Sequence, residues 1–516
     1  MQRTAAAMRT VAAVLLVLGF VCAPAFAPAA SRQPARIVVR FAPSFGELHG
    51  RLLVFLTRKR VADELEPEFV KPHDVEILGT EVDGAPAGSA IEMPLDADAY
   101  PSPATSIAPG TYTVRAELDV RHRYTYDGGQ PGDPDSGNAR VTLAPGRVVT
   151  IAVHGVRRAG ERHGPRAPIP PGARMERFVS PSLSRFFGRP IAMRAYVVPP
   201  RGYAGSSRRY ATVYVVGGFG TAAENIPAAA ARRARVLAKH GGTQLFYVYL
   251  DPHVPLGHSV FADSVNNGPW GHALTTELIP WLESRWRMTG TEGTRFLTGH
   301  SSGGWTTMWL QTTYPRVFGG TWSTSPDPLD FHDFTGPDLV DRPSGNMYVA
   351  PNGKPYMLVR IAGKDVIPLR DFVLQERALG PYGGQFGSFD AVFGPRGADG
   401  RPQPLFDRTS GKIDPAVARE WEARYDIVRN LRTRWPEIGP ELRGKLHVVV
   451  GSWDTFQLER GVMRLRDALA TLPGSDAHVE IVPKRTHFDL YGKHGELMVR
   501  FDREMTAAAG RAAGKT

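Results

Sequence analysis

TRFLTGHSSGGWTTMWL, residues 294–310, holds a strand-length run, a Gly-His-Ser-Ser-Gly pentapeptide and the start of a helix in immediate succession. Thr294 to Thr298 reads as a short strand. Trp305, Met308 and Trp309 follow at i, i+3, i+4 spacing and predict a helix with one apolar face. Between them, residues 299–303 match G-x-S-x-G with Ser301 central. In a chain with 55 Gly the pentapeptide alone is a weak signal, so the flanking strand and helix carry the reading. A serine on such a turn projects from the C-terminal edge of an α/β sheet, and Gly299 and Gly303 let neighbouring elements approach it closely. By contrast, Gly257-His258-Ser259 lacks the second Gly and a following helix.

A serine hydroxyl is a poor nucleophile near neutral pH; it needs a base to take its proton and an acid to orient that base. In this setting the chain order is Ser, then Asp or Glu, then His. Leu446 to Val450 reads as a strand followed directly by Gly451-Ser452-Trp453-Asp454, and His478 to Val482 as a strand leading to Lys484-Arg485-Thr486-His487. Asp454 and His487 are therefore the expected acid and base, one strand-helix-strand unit apart. Asp365, in Gly363-Lys364-Asp365 after the run Tyr356 to Ile361, is the alternative acid, with Asp327 or Asp330 third. His447, His478 and His494 lie within or at the ends of elements and are poorer bases. For an oxyanion the expected donors are the N–H of Ser302 and one from Gly217-Gly218-Phe219-Gly220-Thr221, with Phe219 preferred and Gly218 next. That loop lacks the signatures of a phosphate cradle, and the chemistry requires no metal or organic cofactor.

At 516 residues the chain is too long for one ordinary domain. Residues 36–156 show short alternating runs separated by Gly, Pro and Asp, which predicts an all-β, sandwich-like accessory domain. Within it, residues 127–138 (DGGQPGDPDSGN) read as a solvated hairpin loop; a calcium site between Asp127 and Asp135 is the lesser reading. Residues 157–175 are Arg/Pro/Gly-rich and read as a linker. From residue 176 to about 510, buried-strand runs alternate with helical segments, which predicts a mostly parallel sheet with helices on both faces. Residues 330–443 are an expected insertion capping the site. All nine Trp fall in this second domain.

The first 29 residues have the parts of a secretory signal: Arg3 and Arg9, the apolar run Val11 to Val21, and small residues at Ala25, Ala27 and Ala29. A lipoprotein signal using Cys22 is disfavoured by bulky Phe20 and Val21 before it. Cleavage would remove the single Cys and leave a thiol-free, exported protein, periplasmic or secreted, without stable membrane insertion. The formal charge of +11 is dispersed, with no Lys/Arg block, so no nucleic-acid partner is expected.

The second domain resembles the esterase D and enterochelin-esterase-like group of α/β-hydrolases. The resemblance rests on Ser180-Pro181-Ser182-Leu183-Ser184, Val198-Pro199-Pro200-Arg201-Gly202-Tyr203, Gly217-Gly218-Phe219-Gly220, Asn267-Gly268-Pro269-Trp270-Gly271, Glu277-Leu278-Ile279-Pro280 and Gly299-His300-Ser301-Ser302-Gly303-Gly304. It is dense over about residues 176–330 and looser over 445–508. It implies the α/β-hydrolase fold and a serine hydrolase of carboxylic esters, with Ser301, Asp454 and His487 on the triad positions and a small-molecule or glycan ester as substrate. An acyltransferase using the same triad, or a non-catalytic binding protein on this scaffold, are the alternatives. Of Trp270, Trp305, Trp322 and Trp453, core packing accounts for most. Trp453, adjoining Asp454, is read as lining the pocket, with Trp270 the other candidate.

Overall fold

The computed structural model describes residues 33–124, 128–158, 168–380 and 384–514. The leader with Cys22, the middle of the 157–175 segment and Asp127 lie outside the described residues.

Residues 36–156 form two sheets. In the smaller, Arg36–Phe41 lies between Ala90–Glu92, antiparallel, and Val148–Val153, parallel. The larger is built around Leu48–Thr57, which pairs antiparallel with Glu76–Ala85 on one side and Gly110–Asp119 on the other. Strand alternation sends Leu52, Val54 and Leu56 into a core shared with Ile37, Val39 and Phe41 of the smaller sheet. Leu53 and Phe55 point the other way, yet they too are buried, against Ala378 and Leu379. The strand is therefore covered on both faces, the second by a helix more than 300 residues away in the chain. Arg51, 1% exposed, fastens this contact by donating to the carbonyl oxygens of Arg377 and Ala378 at 3.0 and 2.9 Å. A cation suits the unpaired carbonyls at a helix C-terminus.

The expectation of a solvated loop over 127–138 is corrected. Asp133 and Asp135 are buried, and Pro134–Asp135 is a short strand paired with Gly155–Val156. Arg115, itself fully buried, takes Asp135 through Nε at 3.0 Å, while Asp133 Oδ2 accepts from the Gln130 N–H at 3.0 Å. The ion pair at Asp135 and the backbone N–H at Asp133, invisible in a string of turn residues, allow them inside.

The first strand of the α/β sheet starts at Arg174. The sheet's eight strands are β1 (Arg174–Val179), β2 (Ala192–Val198), β3 (Thr212–Val216), β4 (Phe246–Leu250), β5 (Arg295–His300), β6 (Gly320–Thr324), β7 (Leu446–Gly451) and β8 (His478–Val482). They lie in the order 1-2-4-3-5-6-7-8, parallel from β4 onward, with β2 antiparallel to both neighbours. The α/β-hydrolase expectation is thereby met. β3 and β4, TVYVV and FYVYL, are buried at every position because both sheet faces are covered. Val213, Val215, Tyr247 and Tyr249 pack beneath α1 (Ile226–Ala238) and the C-terminal helix Glu496–Ala513. Tyr214, Val216, Phe246 and Val248 face the opposite layer, with Leu274, Leu278 and Leu282. The crossover from β5 to β6 is α2 (Ser302–Thr313).

The segment between β6 and β7 carries a hairpin, Met357–Ile361 with Lys364–Pro368, and the helices α3 (Leu369–Leu379), α4 (Gln385–Phe393), α5 (Pro415–Tyr425) and α6 (Ile427–Ile438). These pack with Trp305 and Met308 of α2 into the largest apolar cluster among the described residues, so the insertion is seated on the elbow helix itself. Among the described residues no helix is long and apolar enough to cross a membrane.

Candidate active site

Ser301 stands between β5 and α2 with φ 60° and ψ −125°, a conformation that non-glycine residues adopt at a cost of about 1–3 kcal/mol. Its surroundings impose this conformation. The Ser301 N–H donates to Thr324 O at 3.0 Å, and its carbonyl accepts from the Trp305 N–H at 3.0 Å. A Cβ on Gly303 would come 2.0 Å from the Val216 carbonyl oxygen, so only glycine lets α2 lie this close to β3. The pentapeptide is thus required by packing between β3, β5 and α2.

Asp454 and His487 leave the adjacent ends of β7 and β8. Their loops are tied together by the Trp453 N–H donating to Arg485 O at 3.0 Å and the Lys484 N–H to Ser452 Oγ at 2.8 Å. A side chain at Gly451 would strike the Arg485 carbonyl at 2.0 Å, so that glycine sets the approach. His487 Nδ1 lies 3.0 Å from Asp454 Oδ2, with both side chains buried. The other oxygen, Asp454 Oδ1, accepts from the Phe456 N–H at 3.0 Å. Burial pushes the Asp454 carboxyl up, but the imidazole and this N–H outweigh it and hold the group below the ordinary carboxylate range. The His487 ring packs against that of His300, the residue before Ser301, at 4.3 Å between centroids. Residues 301, 454 and 487 thus follow the C-terminal ends of β5, β7 and β8, with His487 against the residue before Ser301. Asp489 serves the loop itself, its Oδ1 accepting from the Thr486 N–H at 2.6 Å.

The other carboxylates are engaged elsewhere. Asp365 sits on the insertion's hairpin, 3.2 Å from Arg360 Nε. Asp330 accepts from the His332 N–H and pairs with Arg464 at 3.0 Å. Asp330, His332 and Asp426 bring ligand-type atoms within 4.8 Å of one another. There, however, Arg464 supplies the positive charge, and Asp426 caps α6 through the Arg429 N–H at 2.7 Å. Asp327 is buried beside the elbow: its N–H donates to Ser301 O at 3.3 Å, and its Oδ2 accepts from Ser302 Oγ at 2.6 Å. Burial pushes its carboxyl up to about 6, against the pull of that hydroxyl.

The glycine loop after β3 reaches the elbow serine: a Cβ on Gly218 would lie 3.1 Å from Ser301 Cβ. His258 holds this loop. Its Nε2 is 3.1 Å from the Gly217 carbonyl oxygen, and its Nδ1 accepts from the Val260 N–H at 2.9 Å, which leaves Nε2 as the protonated nitrogen that donates. Burial pushes His258 down to about 4. The Gly-His-Ser around it lacks the features of an elbow, and nothing in the local sequence signals the contact, 41 residues distant. His300 is also held neutral, pushed down to about 3 by burial and then by the neighbouring His487, and its Nδ1 lies 3.1 Å from Thr324 Oγ1.

Of the two tryptophans read as pocket-lining, one is enclosed in the core. Trp270 is a core residue, 4% exposed, packed on Phe261, with its indole N–H given to Asn267 O at 2.7 Å; it does not line a pocket. Trp453 adjoins Asp454 in sequence, but its ring lies against Gly363 in the turn of the insertion's hairpin, with Lys484 Nζ 5.8 Å from its centre.

Residues 187–332 match the model of a family described as "Putative esterase". No curated protein matches the chain significantly. Three similar solved structures are a ferulic acid esterase, a fluorophosphonate-binding serine hydrolase of Staphylococcus aureus and an S-formylglutathione hydrolase of Agrobacterium tumefaciens. They are 13%, 12% and 15% identical, cover 66% of this chain each and 100%, 99% and 95% of their own, and have TM-scores of 0.40, 0.38 and 0.37. The family match spans β2 through β6 and takes in both the elbow and the glycine loop.

Proposed function

We propose that the chain hydrolyses carboxylic esters through an acyl-enzyme on Ser301. His487 Nε2 takes the proton as Ser301 Oγ attacks the carbonyl carbon. The Ser302 N–H and the Phe219 N–H, with Gly218 as the alternative, receive the oxyanion. The intermediate collapses as the C–O bond to the alcohol breaks and His487 returns the proton to the departing oxygen. Water then enters by the same route and releases the carboxylic acid. Asp454 holds the imidazole by its Nδ1–H and stabilises its charged form. The observation that carries this reading is the buried His487–Asp454 contact of 3.0 Å beside a serine in a forced backbone conformation. A fluorophosphonate probe should label the wild type and leave Ser301→Ala unlabelled; equal labelling of both removes Ser301 as nucleophile.

The substrate is a small-molecule or glycan ester met outside the cytoplasm. The leader composition supports export with cleavage near Ala29. N-terminal sequencing of protein recovered from the periplasm or medium tests it, and an intact Met1 there would refute it.

A further inference from the structure

Phenylalanines from four separate chain segments gather at one flank of His487. Phe456 and Phe488 meet its ring edge-on at 5.0 and 5.3 Å between centroids, and lie 6.0 Å from each other. Phe69, from the accessory domain, lies 5.8 Å from Phe456 and 6.4 Å from Phe488. Phe372 of α3 backs Phe456 at 6.3 Å. Phe488 is 67% exposed, so the cluster ends in an apolar ring standing in solvent next to the base. Its neighbours make it part of a continuous apolar surface, unlike an isolated exposed side chain.

The accessory domain is anchored firmly enough to define this surface. Arg51 grips the end of α3, and Arg123 Nη2 lies 2.8 Å from Glu224 Oε2, just past the glycine loop. Phe69 is thereby held against the His487 flank by contacts on two sides of the catalytic domain. In the reaction given above the imidazole hands its proton to the departing alcohol, so the alcohol portion of the ester must pass beside this imidazole.

We propose that Phe69, Phe456 and Phe488 form the leaving-alcohol subsite, that Phe69 makes the accessory domain a specificity-determining part of the active site, and that the preferred substrates are esters of apolar, planar alcohols. The proposal rests on the serine-esterase reading. Aromatic rings pack on one another in edge-on and offset arrangements, and loss of one such partner weakens binding about two- to tenfold.

The test compares benzyl acetate with ethyl acetate, which share the acyl group and differ only in the alcohol. Wild type should favour the benzyl ester. Phe69→Ala and Phe488→Ala should each raise KM for benzyl acetate about two- to tenfold and lower the benzyl-to-ethyl ratio of kcat/KM by a similar factor. Phe69→Trp should keep the preference. Phe488, being exposed, can be replaced without loss of fold should Phe69→Ala prove unstable. Equal changes on both esters, or no benzyl preference in the wild type, overturn the subsite. Ser301→Ala run alongside separates the two failures: retained hydrolysis there overturns the serine-esterase reading, whereas its loss with an unmoved benzyl-to-ethyl ratio in the Phe variants overturns the subsite alone.

Discussion

His258 Nε2 and the carbonyl oxygen of Gly217 lie 3.1 Å apart, and this contact turns the first carbonyl of the glycine loop toward the imidazole. The N–H groups that follow are then available to face Ser301. His258→Ala should release the loop and lower kcat about 10- to 100-fold, short of the loss expected for deleting an oxyanion donor outright. KM should change little, because the lost interaction strengthens only in the transition state. Steady-state kinetics on an aryl ester checks this, and an unchanged kcat would contradict it.

The same histidine makes a pH prediction. Its folded-state value, about 4, lies below the ordinary value of about 6.5, so between those limits the unfolded chain binds a proton that the folded chain does not. Its contribution to stability is complete above about pH 6.5 and is lost as pH falls toward 4. Melting temperatures of His258→Phe should therefore fall less steeply than those of wild type over that interval.

Asp327 acts in the opposite sense. Its carboxyl is pushed up to about 6 from an ordinary value near 4, so the folded chain keeps a proton that the unfolded chain releases. Its contribution to wild-type stability drops as pH rises from about 4 to 6. Asp327→Asn, whose amide oxygen still accepts from Ser302 Oγ, lacks this titration. Its melting temperature relative to wild type should rise across the same range; a constant difference would show that Asp327 does not titrate there.

Asp454→Asn should leave the fold intact while lowering kcat on the order of 10⁴-fold, because an amide cannot enforce the required tautomer or stabilise a charged imidazole. Circular dichroism and kcat measured together check it. Asp365→Asn, on the insertion's hairpin, should leave kcat within about twofold.

Gly303→Ala would drive a methyl into the Val216 carbonyl at 2.0 Å. Backbone cannot yield there as a flexible side chain could, so the variant should lose about 3 kcal/mol or more, or fail to accumulate. Chemical denaturation against wild type measures the loss.

The α/β sheet was legible because its signals are local. Runs such as TVYVV and FYVYL are apolar at every position only when both faces are covered, and the Gly-His-Ser-Ser-Gly turn between strand and helix has few other geometries open to it. The pairing of Asp454 with His487 followed from the same logic, since consecutive parallel strands bring their C-terminal loops together.

Misreadings arose where long-range contacts override local composition. DPD at 133–135 looks like a turn, yet Arg115 and the strand Gly155–Val156 draw it inside. Trp270 looked available to a pocket until Phe261 and the Asn267 carbonyl enclosed it.

The order of residues by itself determined the early β-rich stretch, the later sheet that presents Ser301, and which Asp and His follow on its edge, because burial periodicity and turn chemistry act over a few neighbours. Tertiary structure alone decided that His258 orients the glycine loop, that Asp327 sits under Ser302, and that Phe69 reaches the flank of His487. Each of those contacts joins segments dozens to hundreds of residues apart, where only packing of the whole chain brings the groups within bonding distance.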